Sequence, residues 1–117
     1  MTGIPDTPRP LAGHRVLEVG GSLPVAAAAK LFSDYGADVI KVEPIGGASM
    51  RRLPPFPGDV PHLEAGAWHV ALDTGKRSVV VDIETASGRE VLDRLCAQAG
   101  LVLVHAASAL ALDIREG

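Results

Sequence analysis

Cysteine is nearly absent: one residue, Cys96, in 117. A lone cysteine excludes a disulfide framework and any cysteine-rich metal site. Aromatic residues are also scarce, with one Trp, one Tyr and two Phe. The core must therefore be built from Ala, Val, Leu and Ile, the mix that suits helices packed on a buried parallel sheet. There is no basic excess. The net charge is −3, and no helix is basic along its length, which argues against a nucleic-acid partner. No apolar run approaches the length of a membrane span. The opening MTGIPDTPRPLAGH lacks an apolar stretch behind a basic cap, so it is not a signal peptide. A soluble, cytoplasmic chain without metal is expected.

What is present reads as one α/β domain. Residues 1–13, rich in Pro and Gly, read as a loose N-terminal arm. Arg15–Val19 is a short apolar run ending in Gly20-Gly21-Ser22, a buried strand and its turn. Ser22 can cap the next segment, and Pro24 suits a first helical turn. Ala26–Tyr35 is then helical, and Gly36 stops it. Asp38–Glu43 is a second strand. Residues 44–66 hold five prolines and four glycines without periodicity, and read as a long loop. Ala67–Asp73 is ambiguous between a helical turn and a strand. Ser78–Ile83 reads as a strand, Ser87–Ala99 as an amphipathic helix and Leu101–His105 as a fourth strand. Residues 107–117 are a tail or short helix, so the domain proper runs 14–106. Strands alternating with helices imply right-handed crossovers and a parallel sheet of about four strands.

Three sets of residues could carry chemistry. A strand, glycines, a helix and an acidic residue, Glu43, about 20 residues on follow the dinucleotide-binding order. The glycine pattern fails, however, because no third glycine follows and Pro24 removes a backbone N–H. A tight strand-to-helix turn is the simpler account. The basic pairs Arg51-Arg52 and Lys76-Arg77 sit in or beside turns, where side chains can converge on phosphates. Taken alone, they are more simply solvated surface charges. Among the histidines, His14, His62, His69 and His105 share no ligand spacing. His105 ends a strand, where ligands bind in open α/β sheets. Cys96 lies on an apolar helix face and reads as a core residue.

Five segments, in order, resemble class III (CaiB/BaiF-type) CoA-transferases. Pro10–Glu18 is similar to the family's opening P-L-x-G-x-R-V-L-D, and Tyr35–Pro44 to its L-G-A-D-V-I-K-V-E-P. Gly46-Gly47 with Arg51-Arg52 resembles G-G-D-x-x-R-R. Gly75–Val79 resembles N-K-R-S-V, and Asp82–Leu92 resembles D-L-K-T-x-x-G-R-E-V-L. The resemblance covers residues 10–104. It implies the amino-terminal, Rossmann-like part of a large domain, incomplete relative to a fold that also has a smaller domain and forms an interlocked dimer. It further implies CoA or acyl-CoA as substrate, with contacts at Ser22, Leu23, Arg52, Lys76, Arg77, Val81, Glu84 and His105. Family members move CoA between carboxylic acids through an aspartate, or racemise 2-methylacyl-CoA. That aspartate is expected beyond Gly117. No catalytic residue is expected in this stretch, which alone should be inactive.

Departures from the family pattern accompany these matches. The A-G-P turn is Leu23-Pro24-Val25-Ala26 here, and the lysine of D-L-K-T is Glu84. Reversing a charge beside a phosphate-bearing ligand costs roughly 1 kcal/mol or more. The E-N-F-R-P-G after the fourth strand is Val104–Ala109. Weak CoA binding is therefore expected. The readings are a working portion of a CoA-transferase or racemase, or alternatively a degenerate, non-catalytic interaction or scaffold module. A free-standing nucleotide module is a third. A partner in the form of the remaining CoA-transferase chain, or a second copy, should cover the apolar surface of an incomplete sheet.

Overall fold

A computed structural model describes residues 9–105. Four parallel strands form one sheet in the order β3-β2-β1-β4. They are β1 (Arg15–Val19), β2 (Asp38–Glu43), β3 (Arg77–Val80) and β4 (Leu101–Val104). The helices are α1 (Leu23–Asp34), α2 (Ala67–Asp73) and α3 (Ala86–Gln98). The α/β class and the parallel sheet expected from the sequence are what the chain forms. The C-terminal tail at 107–117 and the first part of the arm lie outside the described residues.

Strand alternation sorts the side chains onto two faces. Leu17 pairs with Ile40 and Val19 with Val42. These four pack with Val81 and Leu92, backed by Leu95 and Cys96 of α3. The opposite face places Val16 and Val39 against Ala29 of α1 and Ala37, with Phe32 and Leu103 beside them. Further along that second face the strands carry Glu18, Lys41 and Glu43, all buried. A sheet covered on both faces normally reads as apolar throughout. Here one end of one face is charged.

The helices begin where their caps dictate. Ser22 caps α1 through its hydroxyl, which accepts from the Val25 N–H. Pro24 fits the first turn, so α1 starts three residues earlier than its apolar run suggests. Thr85 caps α3 by accepting from the Gly88 N–H at 3.0 Å. The ambiguous segment 67–73 is the helix α2. β3 is shorter than expected, ending at Val80. The Val81 N–H still bonds the Glu43 carbonyl at 2.9 Å. The chain then leaves the sheet through a turn in which Thr85 N–H reaches the Asp82 carbonyl.

Residues 9–13 differ from the loose arm expected of them. Leu11 N–H donates to the Tyr35 carbonyl at 2.9 Å, and the Leu11 side chain packs on the α1 face of the sheet. Residues 44–66 contain two short 3-10 turns, Ser49–Arg52 and Pro57–Asp59, and neither strand nor α-helix. Leu31 on α1, Tyr35 just after it, and Trp68 and Val70 on α2 stand exposed. No described helix is long and apolar enough to cross a membrane.

Candidate functional site

β2 and β3 lie on one side of β1, and β4 on the other, so the chain reverses direction across the sheet beside β1. In open α/β sheets the carboxyl ends of the strands at such a point form a crevice that binds ligands. A cleft of about 390 Å³ sits there. Its floor is Val19, Val42 and Val104, and its far wall is Val81 and Ile83. The near wall has two layers, Gly20-Gly21-Ser22 from the β1–α1 turn and Ala48-Ser49 from the long loop. His105 and Glu43 complete the lining.

The two glycines are fixed by geometry. Gly20 has φ of +96°, a conformation that side chains with a Cβ resist. Gly21 has no room for one, since a Cβ there would lie 2.9 Å from the Ala48 Cβ. The turn and the loop are therefore in direct contact, and together they shape the cleft.

Behind the loop lies a chain of buried charges. The Lys76 ammonium bonds Glu18 Oε1 at 2.7 Å, Asp73 Oδ1 at 3.1 Å and the Ala26 carbonyl at 3.0 Å. Asp73 also accepts from Lys41, and lies 2.7 Å from Nδ1 of His69. Lys41 is 3.4 Å from Glu43 Oε1. Arg51 grips Glu43 with Nε at 2.8 Å and Nη2 at 2.9 Å, and Ser78 Oγ donates to the same carboxylate. Burial alone would raise the Glu43 pKa, but the bonds from Arg51 and Ser78 and the charges of Lys41 and Arg51 outweigh it and hold the carboxyl at about 2. Asp73 is likewise opposed by burial, yet its bonds with Lys41 and His69 keep it below the usual carboxylate range. For Glu18 burial wins and its pKa is raised, and its second oxygen, Oε2, is buried without a hydrogen-bond partner.

These contacts decide which sequence candidates meet. Ser22, Val81 and His105 line the cleft together. Leu23 opens α1 beside Ser22, and exposed Glu84 follows Ile83. Arg52 does not line the cleft: its guanidinium donates to the carbonyls of Gly46 at 2.8 Å and Gly47 at 3.4 Å, and the residue borders a separate hollow with Phe56, Pro61, His62 and Leu63. Lys76 is not brought to the cleft either. Its ammonium is buried under α1, because Glu18 and Asp73 would otherwise be uncompensated charges. Arg77 is also elsewhere, at the start of β3 and bonded to Asp38 at 2.6 and 3.0 Å. The sequence reading missed Glu18, Lys41, Glu43, Asp73 and His69 as a group. One signal was available: Lys41 and Glu43 alternate with Ile40 and Val42 in a strand expected to be buried on both faces. Such residues must be paired.

Comparison with known proteins resolves the ancestry. Residues 11–113 match the model of CoA-transferase family III. The chain belongs to that family. Among curated relatives, the succinate–glutarate CoA-transferase of Agrobacterium fabrum is 41% identical over 107 residues, covering 88% of this chain and 26% of the relative. The succinyl-CoA:(R)-benzylsuccinate CoA-transferase subunit BbsE of Thauera aromatica is 38% identical, covering 76% of this chain and 22% of its own length. A CaiB/BaiF family protein from Brucella suis superposes with a TM-score of 0.71 at 34% identity, over 82% of this chain and 25% of that one. A hypothetical protein from Mycobacterium tuberculosis gives 0.69 at 31% identity, over 80% of this chain and 24% of that one. The chain thus spans about a quarter of the length of the curated relatives and solved structures it matches. Among the described residues, no three His, Cys, Asp or Glu side chains form a group able to hold a metal ion.

Proposed function

We propose that this chain is the CoA-receiving portion of a family III CoA-transferase located in the cytoplasm. The observation that carries the reading is the cleft at the carboxyl ends of β1, β2 and β4, between the Gly20-Gly21-Ser22 turn and Ala48-Ser49. Its lining is apolar over most of its surface, which suits the pantetheine arm or base of CoA, while His105 and Ser22 supply polar groups. Ser22, Leu23, Val81 and His105 are the proposed contacts, with Glu84 at the margin, while Arg52 would reach the ligand only if it left the Gly46 and Gly47 carbonyls. Lys76 acts from beneath the long loop, by holding Glu18 and Asp73, whereas Arg77 pairs with Asp38 at the far end of the strands and takes no part in the site. Acyl transfer or racemisation belongs to the complete protein. The remaining CoA-transferase chain, or a second copy, would cover exposed Leu31, Tyr35, Trp68 and Val70.

Titration calorimetry with CoA and with succinyl-CoA tests this reading. Succinyl-CoA is the first thioester to try, because succinyl-CoA or succinate appears in the names of several relatives. The native chain is expected to bind weakly, and Glu84→Lys to bind more tightly. Reversing the charge, worth roughly 1 kcal/mol or more, corresponds to about fivefold or more. Absence of heat from both forms at millimolar ligand would count against the reading and favour a scaffold role.

A further inference from the structure

The wall of the cleft formed by Ala48 and Ser49 belongs to a long segment with no strand or α-helix of its own, and one side chain ties that segment down. Arg51 is buried and reaches three separate parts of the chain. Its Nε and Nη2 hold Glu43 at the end of β2, its Nη1 donates to the Leu63 carbonyl at 3.1 Å and to Glu64 at 3.2 Å, and the same Nη1 lies 3.0 Å from Nε2 of His69 on α2. A guanidinium only donates, so that imidazole nitrogen accepts. Backbone packing seats the arginine further. A Cβ on Gly47 would lie 2.9 Å from its Cδ, and one on Gly66 would lie 3.2 Å from its carbonyl oxygen. The Arg51 N–H bonds the Ala48 carbonyl at 3.0 Å, and Ala48 meets Gly21.

We propose that Arg51 is the positioning residue of the cleft: it touches no ligand, but it holds the Ala48-Ser49 wall against the Gly20-Gly21-Ser22 turn. A lysine keeps the charge and loses the fork, so it cannot hold Glu43 bidentately while reaching His69 and the Leu63 carbonyl. The proposal uses the CoA-binding reading for its functional arm only.

The test combines hydrogen exchange and calorimetry on the 117-residue chain carrying Arg51→Lys. Amides of residues 46–53 and 20–22 should exchange about tenfold faster, while those of β1, β2 and β4 keep their protection. CoA affinity should fall by about tenfold or more, since a binding-competent wall is populated less. Unchanged protection at 46–53 would overturn the proposal. So would a uniform rise in exchange across the sheet, which would mark Arg51 as a general stabiliser. If the native chain binds no CoA, the CoA reading falls, and the exchange pattern still decides the role of Arg51. If Arg51→Lys does not fold, His69→Ala, which removes the α2 attachment of Arg51 together with the His69–Asp73 contact, must accelerate the same amides while β1, β2 and β4 keep their protection; failure to do so refutes the inference.

Discussion

Replacing Glu43 with glutamine removes one carboxylate from between Arg51 and Lys41 while keeping the side chain's size. The folded chain holds this carboxyl at about 2 against an ordinary 4.5. Each tenfold change in proton affinity is worth about 1.4 kcal/mol, so the ionised form contributes about 3 kcal/mol to stability at neutral pH. The folded value is depressed, so this contribution is fully present above pH 4.5 and fades as pH falls towards about 2. Breaking a buried pair from one side costs a comparable about 3–5 kcal/mol. Urea unfolding followed by the single tryptophan, Trp68, measures the effect. With a slope of about 1–3 kcal/mol per molar, the neutral-pH midpoint of Glu43→Gln should fall by about 1–3 M. The gap between native and variant should then narrow as pH drops below 4.5. A midpoint unchanged at pH 7, or a gap constant down to low pH, would refute the argument that Glu43 is a paired, ionised core residue.

Lys76→Met should destabilise the fold by about 3–5 kcal/mol at neutral pH, because Glu18 and Asp73 lose a buried partner. The Glu18 pKa is already raised by burial, so a neutral Glu18 favours the fold at low pH and that contribution is lost as pH rises through the folded value. The variant should therefore recover stability relative to native on mild acidification, measurable in the same urea series. Thr85→Ala removes the α3 cap and should cost about 1 kcal/mol, seen as a lower thermal midpoint with CoA affinity unchanged.

Local pattern carried much of the fold. β1, β2 and β4 announced themselves as apolar runs ending in turn residues, and α3 as a clear amphipathic period. Boundaries failed where a single group set them. The Ser22 hydroxyl draws α1 back to Leu23, and the Asp82–Thr85 turn pulls the chain off the sheet after Val80. Seven residues of AWHVALD give too few turns for periodicity to choose between helix and strand. The cleft was legible in part, since Ser22, Val81 and His105 lie at the ends of strands or the start of a helix, where any sheet of this topology gathers them. The charge network was not. Lys76 meets Glu18 across 58 positions of sequence, and a basic pair beside a turn looks the same whether it faces phosphate or a buried carboxylate. Arg51 and Arg52 make the point most sharply: neighbours in sequence, one is buried against Glu43 and the other lies exposed on the carbonyls of Gly46 and Gly47.

The central claim is that CoA enters the cleft at the carboxyl ends of the strands. Amide chemical shifts of the labelled chain, recorded through a CoA titration, test it most directly. The account predicts saturable changes confined to residues 19–23, 44–49, 81–84 and 104–105, with the amides around Asp38 and Arg77 undisturbed. Shifts centred on Lys76 and Arg77, or none at millimolar CoA, would contradict it.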